Sequence, residues 1–269
     1  MTSSRCRAQD KTTCRIHART VFVTGFDANA GTFINPVPSL VEHKQKSDFF
    51  KLLITHEEQE AIKGYLDHDY MHLTPHLYKN ADVFIPETAD SQIQGIDSAL
   101  AKYEAAQSEP KVVYRATNIP DPDGSLNTVE DVKAAIDKKY VVGQTITIDG
   151  YMSTTDNPHA LFDFMPSGFH DMPDSQKNSL YGVKTVQGYV DMASNQFLRN
   201  IVYEISTPSG APVSTFGQTH ADKEQEYLLG RGKQFTVIEV IPYTKVVNPV
   251  ESYRHNQVHA TIVRLVEKT

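Results

Sequence analysis

A chain of 269 residues with 39% hydrophobic and 22% charged side chains has ordinary globular composition. That length is enough to bury roughly 70–75% of the unfolded surface around one or two cores. The formal net charge of −7 excludes a broad basic surface for duplex nucleic acid, and no run of 18 apolar residues offers a membrane-spanning helix.

Residues 1–36 read as an irregular polar leader. Arg5, Arg7 and Arg15 have no apolar run behind them, so the leader does not resemble a secretory signal. The expected setting is the cytoplasm, or a target cell reached by a signal-independent route. Cys6 and Cys14 are too few for a disulfide framework. With His17 they offer three metal ligands at a spacing wider than zinc sites use and with no fourth partner nearby, so a surface leader without metal is expected.

Residues 37–269 read as one domain, helical over 37–109 and β-rich over 110–269. Asp48 is expected to cap a helix entering Phe49–Leu53. Thr55 with Glu58 three residues later forms a capping box ahead of Ala61, Ile62, Tyr65 and Leu66. A second helix carries Tyr70, Leu73 and Leu77, with Pro75 as a kink or boundary, and a third carries Ile93, Ile96, Leu100 and Tyr103 at helical spacing. His68, His72 and His76 recur every four residues without carboxylates at ligand spacing, and so read as helix surface rather than a metal site.

From residue 110 the pattern changes. Val112–Ala116 is a β-type run, Asn118–Ser125 a Pro/Asp/Gly loop, and Thr128–Lys139 a helix capped by Thr128. Thr145–Ile148 and Tyr151–Thr155 look like strands flanking Asp149-Gly150. Asn157-Pro158 opens a short helix holding Ala160, Leu161 and Phe164. Asn200–Ser206, Gln234–Ile241 and Thr261–Val266 are rich in β-branched residues and read as strands. The fold class is therefore α+β: a helical lead-in and a two-sheet β core with a cleft between the sheets.

Three segments carry polar residues that a core would reject. Arg115 sits inside an apolar run, where an unpaired charge is expensive, and its guanidinium suits phosphate oxygens; an edge-strand arginine facing solvent is the alternative. Ser153-Thr154-Thr155 places three hydroxyls at a strand end, able to orient a carboxylate or a sugar. Glu224-Gln225-Glu226, taken as extended, sends two carboxylates to one side, where like charges raise proton affinity. A solvated acidic face is the alternative there.

The order of these segments resembles the mono-ADP-ribosyltransferases of the Arg–Ser–Glu group, which place an Arg on a first strand, Ser-Thr-Ser on a second and Glu-x-Glu after it. Here threonine stands third in the second motif. The resemblance spans roughly residues 50–245. It includes Glu58–Tyr65 and Gly95–Leu100 in the helical lead-in, Val142-Gly143 through Thr155, and Tyr227–Phe235. It implies the two-sheet fold of the family, NAD⁺ as substrate and no metal. It also implies that Arg115 holds the pyrophosphate or nicotinamide-side ribose, that Ser153 (with Thr154 and Thr155 beside it) positions Glu226, and that Glu226 stabilises the oxocarbenium ion formed as nicotinamide leaves. Glu224 would serve the acceptor. A Glu in that place resembles arginine-specific members, so protein arginine is the expected acceptor, in a toxin, an effector or a phage enzyme. Transfer to nucleic acid, or an NAD⁺ glycohydrolase or binding module without a macromolecular acceptor, stays open. Gly217–Lys223 would be the acceptor-recognition turn, and Phe162 or Phe164 the aromatic over nicotinamide.

Overall fold

In the computed structural model the described residues are 25–77, 87–119, 125–126, 129–165, 199–217, 224–249 and 257–268. Cys6, Cys14, His17, the Thr128 cap and nearly all of the Gly217–Lys223 turn lie outside them, as do the side chains of His68, His72 and His76.

Helix α1 spans Leu40–Leu53, α2 His56–Gly64, and α3 Tyr70–Leu77, with a π-turn at Tyr65–Asp69 joining the last two. Helix α4 spans Ala89–Ala106. The Thr55/Glu58 capping box is formed as expected. The expected cap at Asp48 is not. Helix α1 starts nine residues earlier, because Ser39 and Glu42 form a capping box of their own, and Asp48 lies within the helix. The stripe Ile93, Ile96, Leu100 and Tyr103 of α4 is buried against α1, α2 and the sheet, in a cluster with Phe50, Ile62, Tyr65 and Leu228.

Among the described residues the main sheet has eight strands. In chain order they are β3 (Lys111–Asn118), β4 (Thr145–Ile148), β5 (Met152–Thr155), β6 (Asn200–Thr207), β7 (Ala211–Pro212), β8 (Glu226–Leu229), β9 (Lys233–Val247) and β10 (Gln257–Glu267). Their spatial order is β4-β9-β10-β6-β3-β5-β8-β7. Only β10 and β6 run parallel; the other neighbours are antiparallel. The expected two sheets are the two halves of this array, and a single register pair, Tyr114 with Thr155, joins them. Helix α5 (Val129–Lys139) closes one core with Val132 and Ile136 against Ile201, Phe235 and Leu265. A 3₁₀ turn at Pro158–Ala160, capped by Asn157, and the short helix α6 (Leu161–Phe164) follow β5.

The part of the leader within the described residues is not irregular. Phe26–Asp27 (β1) and Thr32–Phe33 (β2) form a hairpin, and Phe26 is buried in one cluster with Tyr114 and Phe162, linked to Tyr114 through the ring of Phe33. Gly31 takes φ 67° in the connecting turn, where a Cβ would meet the Lys245 carbonyl at 2.6 Å. Behind the hairpin, Arg264 of β10 donates to the Phe26 carbonyl and pairs with Glu204 of β6 and Glu239 of β9. Glu204, fully buried, also accepts from the Gly25 backbone N–H at 2.9 Å.

Candidate active site

The seam between the two half-sheets opens into a cleft of about 700 Å³. Arg115, Ser153, Thr154, Thr155, Phe164, Glu224 and Glu226 all line it. The strand register explains the grouping. On β5 and β8, Thr155 faces Glu226 and Ser153 faces Leu228, so Ser153 and Glu226 are diagonal neighbours on one face. The Ser153 hydroxyl accordingly donates to Glu226 Oε1 at 2.5 Å. Arg115 comes from β3, an interior strand, so the edge-strand alternative falls: its guanidinium crosses the seam and donates to the Ser153 carbonyl at 2.6 Å. Thr154 and Thr155 act inward on the backbone, donating to the Tyr227 and Glu224 carbonyls.

The two glutamates do not share a side by strand alternation, as an extended reading has it. Strand β8 begins only at Glu226, and Gln225 takes a left-handed φ of 45°. For a residue with a Cβ that conformation costs on the order of 1–2 kcal/mol, so the surroundings must hold it. The Gln225 side chain is buried and donates to the Pro38 carbonyl at 3.0 Å. The turn thus brings both carboxylates into one cleft.

Burial pushes the Glu226 carboxyl up to about 7; the Ser153 hydroxyl opposes that shift, Glu224 adds to it and Arg115 opposes it. An acid near neutrality is easily switched between its neutral and charged forms by a cationic ligand arriving beside it.

Of the two aromatics expected over the cleft, Phe162 is fully buried in the core and Phe164 is 57% exposed at the cleft mouth. The geometry therefore favours Phe164 over Phe162 for contact with a ligand.

The sequence matches the family described as ADP-ribosyltransferase exoenzyme over residues 42–265. The chain belongs to the ADP-ribosyltransferase exoenzyme family. Its fold is shared with solved structures of ADP-ribosylating toxins. The enzymatic component C2-I of the C2-toxin from Clostridium botulinum superimposes with TM-score 0.55 at 15% identity, covering 86% of this chain and 47% of that one. Plx2a, an ADP-ribosyltransferase toxin from Paenibacillus larvae, gives 0.56 at 19% identity, covering 85% and 94%. BECa, an ADP-ribosylating toxin of a binary enterotoxin of C. perfringens, solved with NADH, gives 0.51 at 18%, covering 84% and 48%. The chain spans about half the length of C2-I and BECa. No curated protein sequence matches it.

The cleft has a further wall that sequence patterns do not reveal: Tyr65, Leu66, Tyr70, Met71 and Thr74, from the π-turn and α3, line it together with the two carboxylates, and Tyr151 joins them from the turn before β5. Tyr65 and Tyr151 meet edge to face at 5.4 Å, and Tyr151 donates to Asp97 at 2.8 Å. In the sequence Tyr65 occupies an apolar helical position, and its periodicity is that of a core residue. No helix among the described residues is long and apolar enough to cross a membrane.

Proposed function

We propose that this cleft binds NAD⁺, breaks the bond between nicotinamide and its ribose, and passes the ADP-ribosyl group to an arginine side chain of a protein. Residues 37–269 would form the single transferase domain, with the hairpin at 26–33 docked on it, in a toxin or effector that acts inside a target cell. The observation that carries the reading is the Ser153–Glu226 hydrogen bond, set beside Arg115 and Glu224 in one cleft.

Arg115 would meet the NAD⁺ phosphates or ribose with a planar fork that a lysine lacks. Glu226, held by Ser153, would accept from the ribose 2′-hydroxyl. As the C1′–N bond breaks, its electron pair leaves with neutral nicotinamide and the ribose becomes an oxocarbenium ion, which the Glu226 carboxylate stabilises. Glu224 would orient the acceptor guanidinium and take the proton it loses as nitrogen bonds to C1′. The cleft supports a protein acceptor over a polynucleotide because Arg115 is the one cation among its described lining residues. The NADH bound to BECa supports a nicotinamide dinucleotide in this fold.

Incubation with NAD⁺ labelled in its adenylate part and a whole-cell lysate tests the reading. The label is expected on protease-sensitive, nuclease-resistant material, and excess of a small guanidine should compete for it. Label on nuclease-sensitive material would move the acceptor to nucleic acid. Free ADP-ribose alone would make the protein a glycohydrolase.

A further inference from the structure

The left-handed turn at Gln225 is clamped from behind by a buried chain of polar groups that reaches into helix α1. The Glu226 backbone N–H donates to Ser214 Oγ at 3.0 Å, and Ser214 Oγ lies 2.7 Å from His43 Nε2. The other imidazole nitrogen, Nδ1, lies 3.0 Å from Asp156 Oδ2. Asp156 returns to the same turn, its backbone N–H donating to the Gln225 carbonyl at 3.3 Å. The carbonyl of Gln225 and the N–H of Glu226 are the two poles of one peptide group. Asp156 holds one pole, Ser214 the other, and the His43 ring ties the two holders together.

The proton directions follow from valence. A carboxylate oxygen only accepts, so Asp156 Oδ2 takes a hydrogen bond from His43 Nδ1–H. With the ring hydrogen there, Nε2 of the neutral ring is an acceptor, and the Ser214 hydroxyl, which also accepts from the Glu226 N–H, donates to it. Packing fixes the ring as well: His43 is 1% exposed and lies edge-on to Tyr227 at 5.1 Å. One turn further along α1, Ser47 bonds the hydroxyl of Thr215 at 2.8 Å and accepts from its backbone N–H at 3.1 Å; one turn beyond that, Lys51 donates to the Thr215 carbonyl. The inner stripe of α1 therefore grips the segment 214–215 at three successive turns.

We propose that His43 is a positioning residue for Glu226, locking the Gln225–Glu226 peptide through Ser214 and Asp156. Its effect on catalysis rests on the functional reading above; its effect on the turn does not. The test uses the full chain labelled with ¹⁵N. His43→Phe keeps a ring of similar volume and removes both polar bonds. Hydrogen exchange of the Glu226 amide should accelerate at least about 10-fold in His43→Phe and in Ser214→Ala, while the Val202 amide in β6 keeps its protection. The double variant should be no faster than the faster single one, because both break one chain. In NAD⁺ cleavage, kcat should fall about 10-fold with Kd for NAD⁺ unchanged, since misplacing a group lowers turnover without removing the Arg115 contact. His43→Gln, whose amide offers one donor and one acceptor, should recover part of kcat.

Wild-type exchange at Glu226 in His43→Phe overturns the proposal. So does equal acceleration at Glu226 and Val202, which marks general destabilisation, and so does simple additivity in the double variant. If His43→Phe does not fold, Ser214→Ala with and without His43→Gln supplies the same cycle. If the wild-type protein leaves NAD⁺ intact, the functional reading falls, and amide exchange still decides the role of His43.

Discussion

The two halves of the main sheet are built on different principles. On one side β9 runs for 15 residues and β10 for 11, and β6 is buried along nearly its whole length beside β3. Their order comes from long backbone ladders and two apolar clusters. On the other side β5 and β8 have four residues each and β7 two. Beside those short ladders, hydroxyl side chains add bonds to the backbone: Thr154 to the Tyr227 carbonyl, Thr155 to the Glu224 carbonyl, and Ser214 from the Glu226 N–H. The first half is ordered mainly by ladders and apolar packing, and the second holds the cleft carboxylates Glu224 and Glu226 with polar groups that a purely apolar core would exclude.

The sharpest way to break this contrast is in the long half. Arg264→Met strips the buried Glu204 of its cation and should cost about 3–5 kcal/mol of stability, because an uncompensated charge is left inside the protein. Burial already holds the Glu204 carboxyl above the usual carboxylate range. Denaturant titration would show the loss, and NAD⁺ turnover per folded molecule should stay near that of the wild type. A variant of normal stability would show that the ion network is dispensable.

In the short half the order of effects is reversed. Glu226→Gln should lower both transfer and NAD⁺ hydrolysis by about 10²–10³-fold, the usual loss for one electrostatic contact to a developing charge. It should not weaken the fold. A group whose folded pKa is raised gives stability that is complete below its unfolded pKa and is lost as pH rises through the folded one, here about 7. Replacing Glu226 removes that loss, so the Tm advantage of Glu226→Gln should be small near pH 4 and grow up to pH 8, by an amount on the order of 2 kcal/mol. A Tm difference flat with pH would contradict the buried, raised carboxyl.

Glu224→Gln separates the two glutamates. Transfer to arginine should fall about 10²-fold, as expected on losing a general base, while slow hydrolysis of NAD⁺ survives. Because Glu224 raises the proton affinity of Glu226, the rising limb of kcat/KM against pH should also move to lower pH in this variant. Equal loss of both activities would merge the two roles. The smallest effect belongs to a single strut: Thr154→Val removes one side-chain bond to the Tyr227 carbonyl and should cost about 1 kcal/mol by thermal unfolding.

Much of the long half can be read from local signals in the sequence, whereas the grouping of the site rests on the order of three motifs and its resemblance to a known family. The β-branched runs at 200–206, 234–241 and 261–266 became strands, and the spacing of Ile93, Ile96, Leu100 and Tyr103 became the buried face of α4. The start of α1 is less legible: residues 40–47 carry a weak apolar pattern, and Asp48 before two phenylalanines reads as a cap. The turn at Gln225 was not legible at all. A left-handed glutamine has no mark in the sequence, and the groups that hold it come from Pro38, His43, Asp156 and Ser214, far from it along the chain. The aromatic wall of Tyr65 and Tyr151 was hidden for a related reason, since tyrosines at core spacing announce burial before they announce a ligand.

Among the described residues, one register pair, Tyr114 against Thr155, forms the backbone seam between the two halves. A seam so narrow uncouples inheritance of the scaffold from inheritance of the chemistry. The Glu224–Glu226 turn lies outside the long ladders, so the lining of the cleft can vary in sequence without the β6–β10–β9 interior having to be rebuilt.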